Sequence, residues 1–147
     1  MTVIIRILQS EDFSSWKELW RAYLQFYKTS LSDEVTQMTW NRILDPDLDI
    51  HGLCAETESR SMIGIVHFLY HPVTWSISPR CYLEDLYVRD KVRGQGAGRA
   101  LIEAVYDAAR TRQADQVYWL TETDNLVARN LYDRVGELTS FIKYKEK

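Results

Sequence analysis

Large apolar residues recur at helical spacing in some stretches of the chain and gather in short β-branched runs in others, and this succession predicts its elements. Residues 3–8 are rich in β-branched side chains and predict a first strand. Across residues 11–28, Trp16, Leu19, Trp20, Tyr23, Phe26 and Tyr27 recur every three or four positions, which predicts a helix burying one face, with Ser10 placed as its N-cap. A second helix is predicted over 33–44, stopped by Asp45-Pro46. Residues 52–56 and 61–70 read as strands joined by the polar turn Glu58-Ser59-Arg60, residues 71–79 as a loop containing Pro72, and 80–88 as another strand. After a glycine-dense turn, Leu101, Ala104, Val105 and Ala108 mark the inward stripe of a helix reaching Arg112. Residues 116–121 predict a strand, 125–135 a helix and 139–144 a final strand. This order fits an α/β (mixed α+β) fold, a mixed sheet with helices on both faces.

Composition narrows the function classes. A chain of 147 residues, 46% of them hydrophobic, fits one domain over 1–147 with a substantial core. The net charge of −3 argues against a general nucleic-acid surface and suits a cationic partner. The first residues lack the apolar run of a signal peptide, and no segment approaches the ~20 apolar residues of a membrane span, so a cytoplasmic protein with no membrane partner is expected. Cys54 and Cys81 have neither C-x-x-C spacing nor clustered histidines, which predicts buried reduced thiols and no metal. His51, His67 and His71 share no ligand or catalytic spacing, and none is expected to be essential.

Chemistry concentrates in the stretch YLEDLYVRDKVRGQGAGRALI, from Tyr82 to Ile102. Its turn, Arg93-Gly94-Gln95-Gly96-Ala97-Gly98-Arg99, leads from a strand into a helix. Glycines allow positive φ and close ligand approach. A helix N-terminus adds free N–H groups and partial positive charge, so the turn predicts a site for a phosphate or pyrophosphate. A P-loop would need Lys-Ser/Thr after its last glycine, where this chain has Arg99-Ala100. A dinucleotide fingerprint would need glycine or alanine at its sixth position, where the two possible frames put Arg99 or Leu101. The pattern that fits is R-x-x-G-x-G, filled by Arg93, Gly96 and Gly98.

With Leu83-Glu84-Asp85-Leu86-Tyr87-Val88 before that turn and Asn125-x-x-Ala128-x-x-x-Tyr132 after it, the chain resembles the GNAT superfamily of acetyl-CoA-dependent N-acetyltransferases. The likeness is closest to the polyamine, thialysine and yeast histone/polyamine branch, which shares a similar YLED strand, and it is weakest over the first fifty residues. It implies a single twisted sheet of about six to seven strands in which the strand before the glycine turn and the next one splay apart, with the pantetheine arm in the gap. It further implies that acetyl-CoA is met by Leu86, Tyr87, Val88, the turn residues Arg93, Gly94, Gln95, Gly96, Ala97, Gly98 and Arg99, and Asn125, which should also cap its helix. Tyr132 corresponds to the family's general acid. Many members read Tyr-x-x-x-Gly-Phe, whereas here Glu137-Leu138-Thr139-Ser140 separates Gly136 from Phe141, an extension that the polyamine/histone-like branch shares.

Acetyl transfer to an amine needs a deprotonated nucleophile, a stabilised oxyanion and a proton for the leaving thiolate. An alkyl amine with a pKa near ~10.4 is mostly ammonium at neutral pH. Glu84 is the first candidate to bind or deprotonate it, directly or through water, and Asp85 the second. Adjacent strand residues point to opposite faces, so only one of them faces the thioester unless a bulge intervenes. The alternative is that these carboxylates pair with a nearby arginine. A backbone N–H around 86–88 would meet the oxyanion. The stripe Trp16, Trp20, Tyr23 and Tyr27 reads as core, with Tyr23 or Tyr27 alternatively at a substrate mouth, holding an ammonium on an aromatic face. The implied reaction is acetyl-CoA plus a primary amine, whether polyamine, lysine-like molecule or protein lysine. A CoA-binding sensor without turnover would need neither Glu84 nor Tyr132. The terminal segment around Phe141-Ile142-Lys143-Tyr144 predicts a homodimer paired or exchanged through its last strands, the alternative being a monomer edge kept soluble by Lys143, Lys145 and Lys147.

Overall fold

The computed structural model describes residues 2–147. Its strands β1 (Val3–Ile7), β2 (Ile50–Thr57), β3 (Met62–His71), β4 (Arg80–Val88) and β5 (Val117–Tyr118) form one sheet in sequence order. The first four are successively antiparallel, and β5 joins β4 in parallel after a crossover through α3 (Ala97–Thr111). Helices α1 (Phe13–Phe26) and α2 (Asp33–Leu44) precede β2, and α4 (Leu126–Val135) follows β5.

The sheet has a core on each face. On one, Trp16, Leu19, Trp20 and Leu24 of α1 and Trp40 of α2 meet Leu8, Cys54, Met62 and Ile65. On the other, Leu101, Ile102, Val105 and Ala109 of α3 pack against Ala55, Ile63, Val66, Phe68, Cys81 and Leu83. Cys54 and Cys81 therefore lie in different cores as free thiols, each pushed up to about 11 by burial. Full burial of each large aliphatic side chain contributes roughly 1.5–3 kcal/mol, so the stripe that begins at Leu101 is what fixes α3 over β3 and β4.

Two irregularities of the sheet set the phase of its side chains. The β2–β3 register shifts between Ala55 and Glu56, leaving Ile63 as the extra residue, and the β3–β4 register passes from His67↔Asp85 to Phe68↔Leu83. Glu84 is thus the extra residue of a β-bulge, and the alternation of β4 changes phase there. Leu83, Leu86 and Val88 all contribute to the α3-side core, while Tyr87 packs on the α1 side.

Several expectations from the sequence are corrected. Residues 139–144 form no strand: past Gly136 the chain is exposed and has no strand partner, so the sheet has five strands rather than six or seven. The fifth is two residues long rather than 116–121, because β4 pairs with it only at Cys81↔Val117 and Tyr82↔Tyr118. Ser10 caps nothing; a short 3₁₀ turn over Ser10–Asp12, closed by a reciprocal Gln9–Asp12 box, precedes α1. Asn125 stands at the N-cap of α4, but its amide donates to Thr121 Oγ1 at 3.1 Å instead of capping.

Candidate active site

The glycine turn opens α3. Gly94 and Gly96 have φ of 81° and 91°, and a Cβ built on either meets nothing within 4 Å, so their outer face is open to a ligand. Gly98 differs: its Cβ would lie 3.3 Å from Leu131 and 3.8 Å from Val88, so it lets α3 approach α4 and β4. Among the described residues, the N–H groups of 94–99 have no protein acceptor, and Ala100 is the first to bond back, to Gly96 O at 3.0 Å. Six free donors at a helix N-terminus fit a phosphate-bearing group. The flanking arginines are not waiting for it. Arg93 donates from Nε to Val88 O at 2.9 Å, pairs with Asp90 at 2.7 Å and lies over the rings of Tyr87 and Phe26. Arg99 pairs with Glu103 at 2.9 Å, an exposed contact weak enough to exchange for a ligand.

Beyond Tyr82 no strand pairs with the outer edge of β4, because the end of β5 turns away after Tyr118. From Leu83 to Val88, alternate main-chain N–H and C=O groups on that edge are free for an extended ligand. The gap lies between the glycine turn at one end and a stack of Tyr82 on Tyr118, centroids 4.8 Å apart, at the other.

The bulge changes what the two carboxylates can do. It brings Glu84 and Asp85 to the same side of β4, the α1 side, where strict alternation would have separated them. Asp85 accepts from Tyr23 Oη at 2.6 Å and from His67 Nδ1 at 2.9 Å, and His67 in turn accepts from the Trp16 indole at 2.9 Å. Glu84 makes no hydrogen bond with any described side chain, and partial burial, followed by the charge of Asp85, raises its pKa. Neither carboxylate pairs with an arginine. The aromatic stripe of α1 divides: Trp16 and Trp20 stack within the core, and Tyr23 and Tyr27 continue it, half-buried, to the site. Tyr132, on α4, lies edge-on to Trp119 with centroids 5.5 Å apart. Burial, with a smaller effect from nearby Tyr27, pushes its phenol up to about 12.

The sequence model of the Acetyltransferase (GNAT) family matches residues 13–136. The chain belongs to the GNAT acetyltransferase family. It is 35% identical over 144 residues to the D-amino-acid N-acetyltransferase HPA3 of Saccharomyces cerevisiae, covering 97% of this chain and 89% of that one. Thialysine N-epsilon-acetyltransferase of Mus musculus is 36% identical over 73 residues, half of this chain and 41% of its own. Among solved structures, AAC(6')-Iy in complex with the bisubstrate analogue CoA-S-monomethyl-acetylneamine superposes with a TM-score of 0.86 over 100% of this chain and 99% of that one; at 18% identity this is a likeness of fold.

GNAT enzymes use acetyl-CoA, and the open glycine turn and the free edge of β4 fit its phosphates and its amide-bearing arm. No group of three or more His, Cys, Asp or Glu side chains that could hold a metal converges among the described residues, and no helix is long and apolar enough to cross a membrane. From the sequence no essential role is expected for His67, which lies beside the site, hydrogen-bonded to Asp85. His67 had no motif around it; what could have raised its standing was its place mid-strand in the apolar run MIGIVHFLY, where a buried imidazole must find partners.

Proposed function

We propose that this GNAT enzyme transfers acetyl from acetyl-CoA to a primary amine by direct attack in a ternary complex. The observation that carries the reading is the bulge at Glu84, which sets a carboxylate free of protein partners beside the unpaired edge of β4. The N–H groups of 94–99 hold the pyrophosphate, with Arg93 and Arg99 at its flanks, and the edge from Leu86 through Val88 aligns the pantetheine arm, with Asn125 bordering it. Glu84 takes one proton from the ammonium. The amine nitrogen then bonds to the thioester carbonyl carbon as the C–S bond breaks, and an edge N–H among Leu86, Tyr87 and Val88 donates to the carbonyl oxygen as charge builds on it. Tyr132, protonated throughout the working range, supplies the proton that the thiolate needs, and the second nitrogen proton restores it.

An ammonium suits this mouth, where two carboxylates and the rings of Tyr23 and Tyr27 converge. Polyamines, lysine-like small molecules and protein lysines share that group. The relatives' names add amino acids to the panel. Thiol release from acetyl-CoA, measured with spermidine, thialysine, D-lysine, kanamycin and a lysine peptide, tests the reading. Amine-dependent release lost in Glu84→Gln is expected; CoA binding with no amine-dependent release from any acceptor overturns it. We further propose a homodimer formed through the exposed C-terminal segment, working in the cytoplasm.

A further inference from the structure

His67 is only 2% exposed, faces Asp85 across the β3–β4 register, and has both ring nitrogens engaged. An indole N–H can only donate, so His67 Nε2, 2.9 Å from Trp16 Nε1, is the acceptor and carries no proton. The proton of the neutral ring therefore sits on Nδ1 and is donated to Asp85 Oδ2 at 2.9 Å. Tyr23 occupies Oδ1 at 2.6 Å. Each oxygen of Asp85 thus receives a donor from a different layer, one from the sheet and one from α1.

We propose that His67 is a positioning residue for acetyl transfer: locked in its Nδ1–H tautomer by Trp16, it joins Tyr23 in holding Asp85 as a fixed anion, so that Glu84 is the carboxylate left to exchange protons with the amine. The inference rests on the reading of Glu84 given above. Hydrogen bonds to an ionised acceptor are short and strong, so Asp85 is held stiffly. An immobile negative charge next to Glu84 attracts an ammonium and disfavours a second ionised carboxylate. The pair is faced by Tyr23 and Tyr27 from α1, His67 from β3, Tyr82 from β4 and Tyr118 from β5. Burial raises each phenol, so all four stay neutral around Glu84.

Two substitutions separate donation to Asp85 from filling of the core. His67→Asn places an amide N–H near the position of Nδ1 and gives up the bond from Trp16. His67→Gln reaches toward Trp16 and gives up the donor to Asp85. With the most active amine of the panel, His67→Gln is expected to lower kcat roughly 10²-fold through misplacement of the acceptor site. The KM for acetyl-CoA should be unchanged, and His67→Asn should recover most of the loss. Asp85→Asn, which removes the charge beside Glu84, should move the acidic limb of the kcat profile to lower pH. Wild-type kcat in His67→Gln overturns the inference, as do equal losses in both His67 variants that track a lowered Tm. Glu84→Gln, run in parallel, judges the reading beneath. If it loses turnover while His67→Gln does not, only the inference falls; if it keeps wild-type kcat, both fall.

Discussion

Tyr132 illustrates how much a single side chain depends on its surroundings. On an exposed helix face its phenol would titrate near ~10, but here burial lifts it to about 12, so it stays protonated at neutral pH. Tyr132→Phe keeps the ring against Trp119 and removes only that proton. The expected result is a fall in kcat of roughly 10²–10⁴-fold with acetyl-CoA affinity unchanged, read by steady-state kinetics and calorimetric titration. Tyr132 and Glu84 could be proposed from the sequence because the motifs around them, Asn125-x-x-Ala128-x-x-x-Tyr132 and Leu83-Glu84-Asp85-Leu86-Tyr87-Val88, resemble those of the GNAT family. His67 could not, because its partners Trp16 and Asp85 lie 51 and 18 residues away and meet it only once α1 covers the sheet. The convergence of Glu84 and Asp85 was likewise hidden: alternation puts neighbours on opposite faces, and a bulge leaves no signature in residue types alone.

Among the elements, the turn into α3 was the most legible, since alternate glycines have few other reasons to precede a helical stripe. Gly96→Asp puts a Cβ on a residue at φ 91° and a carboxylate among free N–H groups, so it occupies the anion site with a like charge. CoA affinity should drop sharply while far-UV circular dichroism stays that of the folded chain, and unchanged CoA binding would sink the cofactor assignment. The far end of α3 is fastened differently. Arg112 forks onto Asp49 with bonds of 2.9 and 2.8 Å and lies 4.0 Å over the Tyr70 ring, tying the helix end to the entry of β2. Arg112, and secondarily His51, holds Asp49 at about 2, below its ordinary 3.8. A depressed carboxylate stabilises the fold above its ordinary value and loses that contribution as pH falls through the native one. Because the pair is nearly half exposed, the pH-dependent part is at most about 1 kcal/mol. Urea unfolding at about pH 5 and about pH 2 should show Arg112→Ala losing less stability on acidification than the parent. The strands were less legible at their ends. A run such as Gln116 to Thr121 has strand character throughout, but only the residues that find a neighbour form a ladder, and the divergence of β4 and β5 ends it after Tyr118.

For the whole molecule, the open question in solution is what meets the last residues. Leu138, Phe141, Ile142 and Tyr144 are each at least 74% exposed, an apolar series that proteins usually cover or pair. Light scattering at micromolar concentration should give twice the chain mass of 17.3 kDa, reverting to the single mass when residues 139–147 are removed; a single mass for the full chain ends the dimer proposal. The bulge, too, acts at this scale. It is the one extra residue that lets Leu83, Leu86 and Val88 share a core despite their odd spacing. Removing Glu84 would therefore close the bulge and leave the pairs His67↔Asp85 and Phe68↔Leu83 consecutive in the ladder. It would restore plain alternation with both layers intact: Leu83 and Leu86 would stand two positions apart, still facing α3 with Cys81 and Val88, and Asp85 would stay between them on the α1 side. The second carboxylate is thus an insertion that the cores do not require: a homologue with one residue fewer there keeps every layer in place and presents a single acidic side chain beside the open edge.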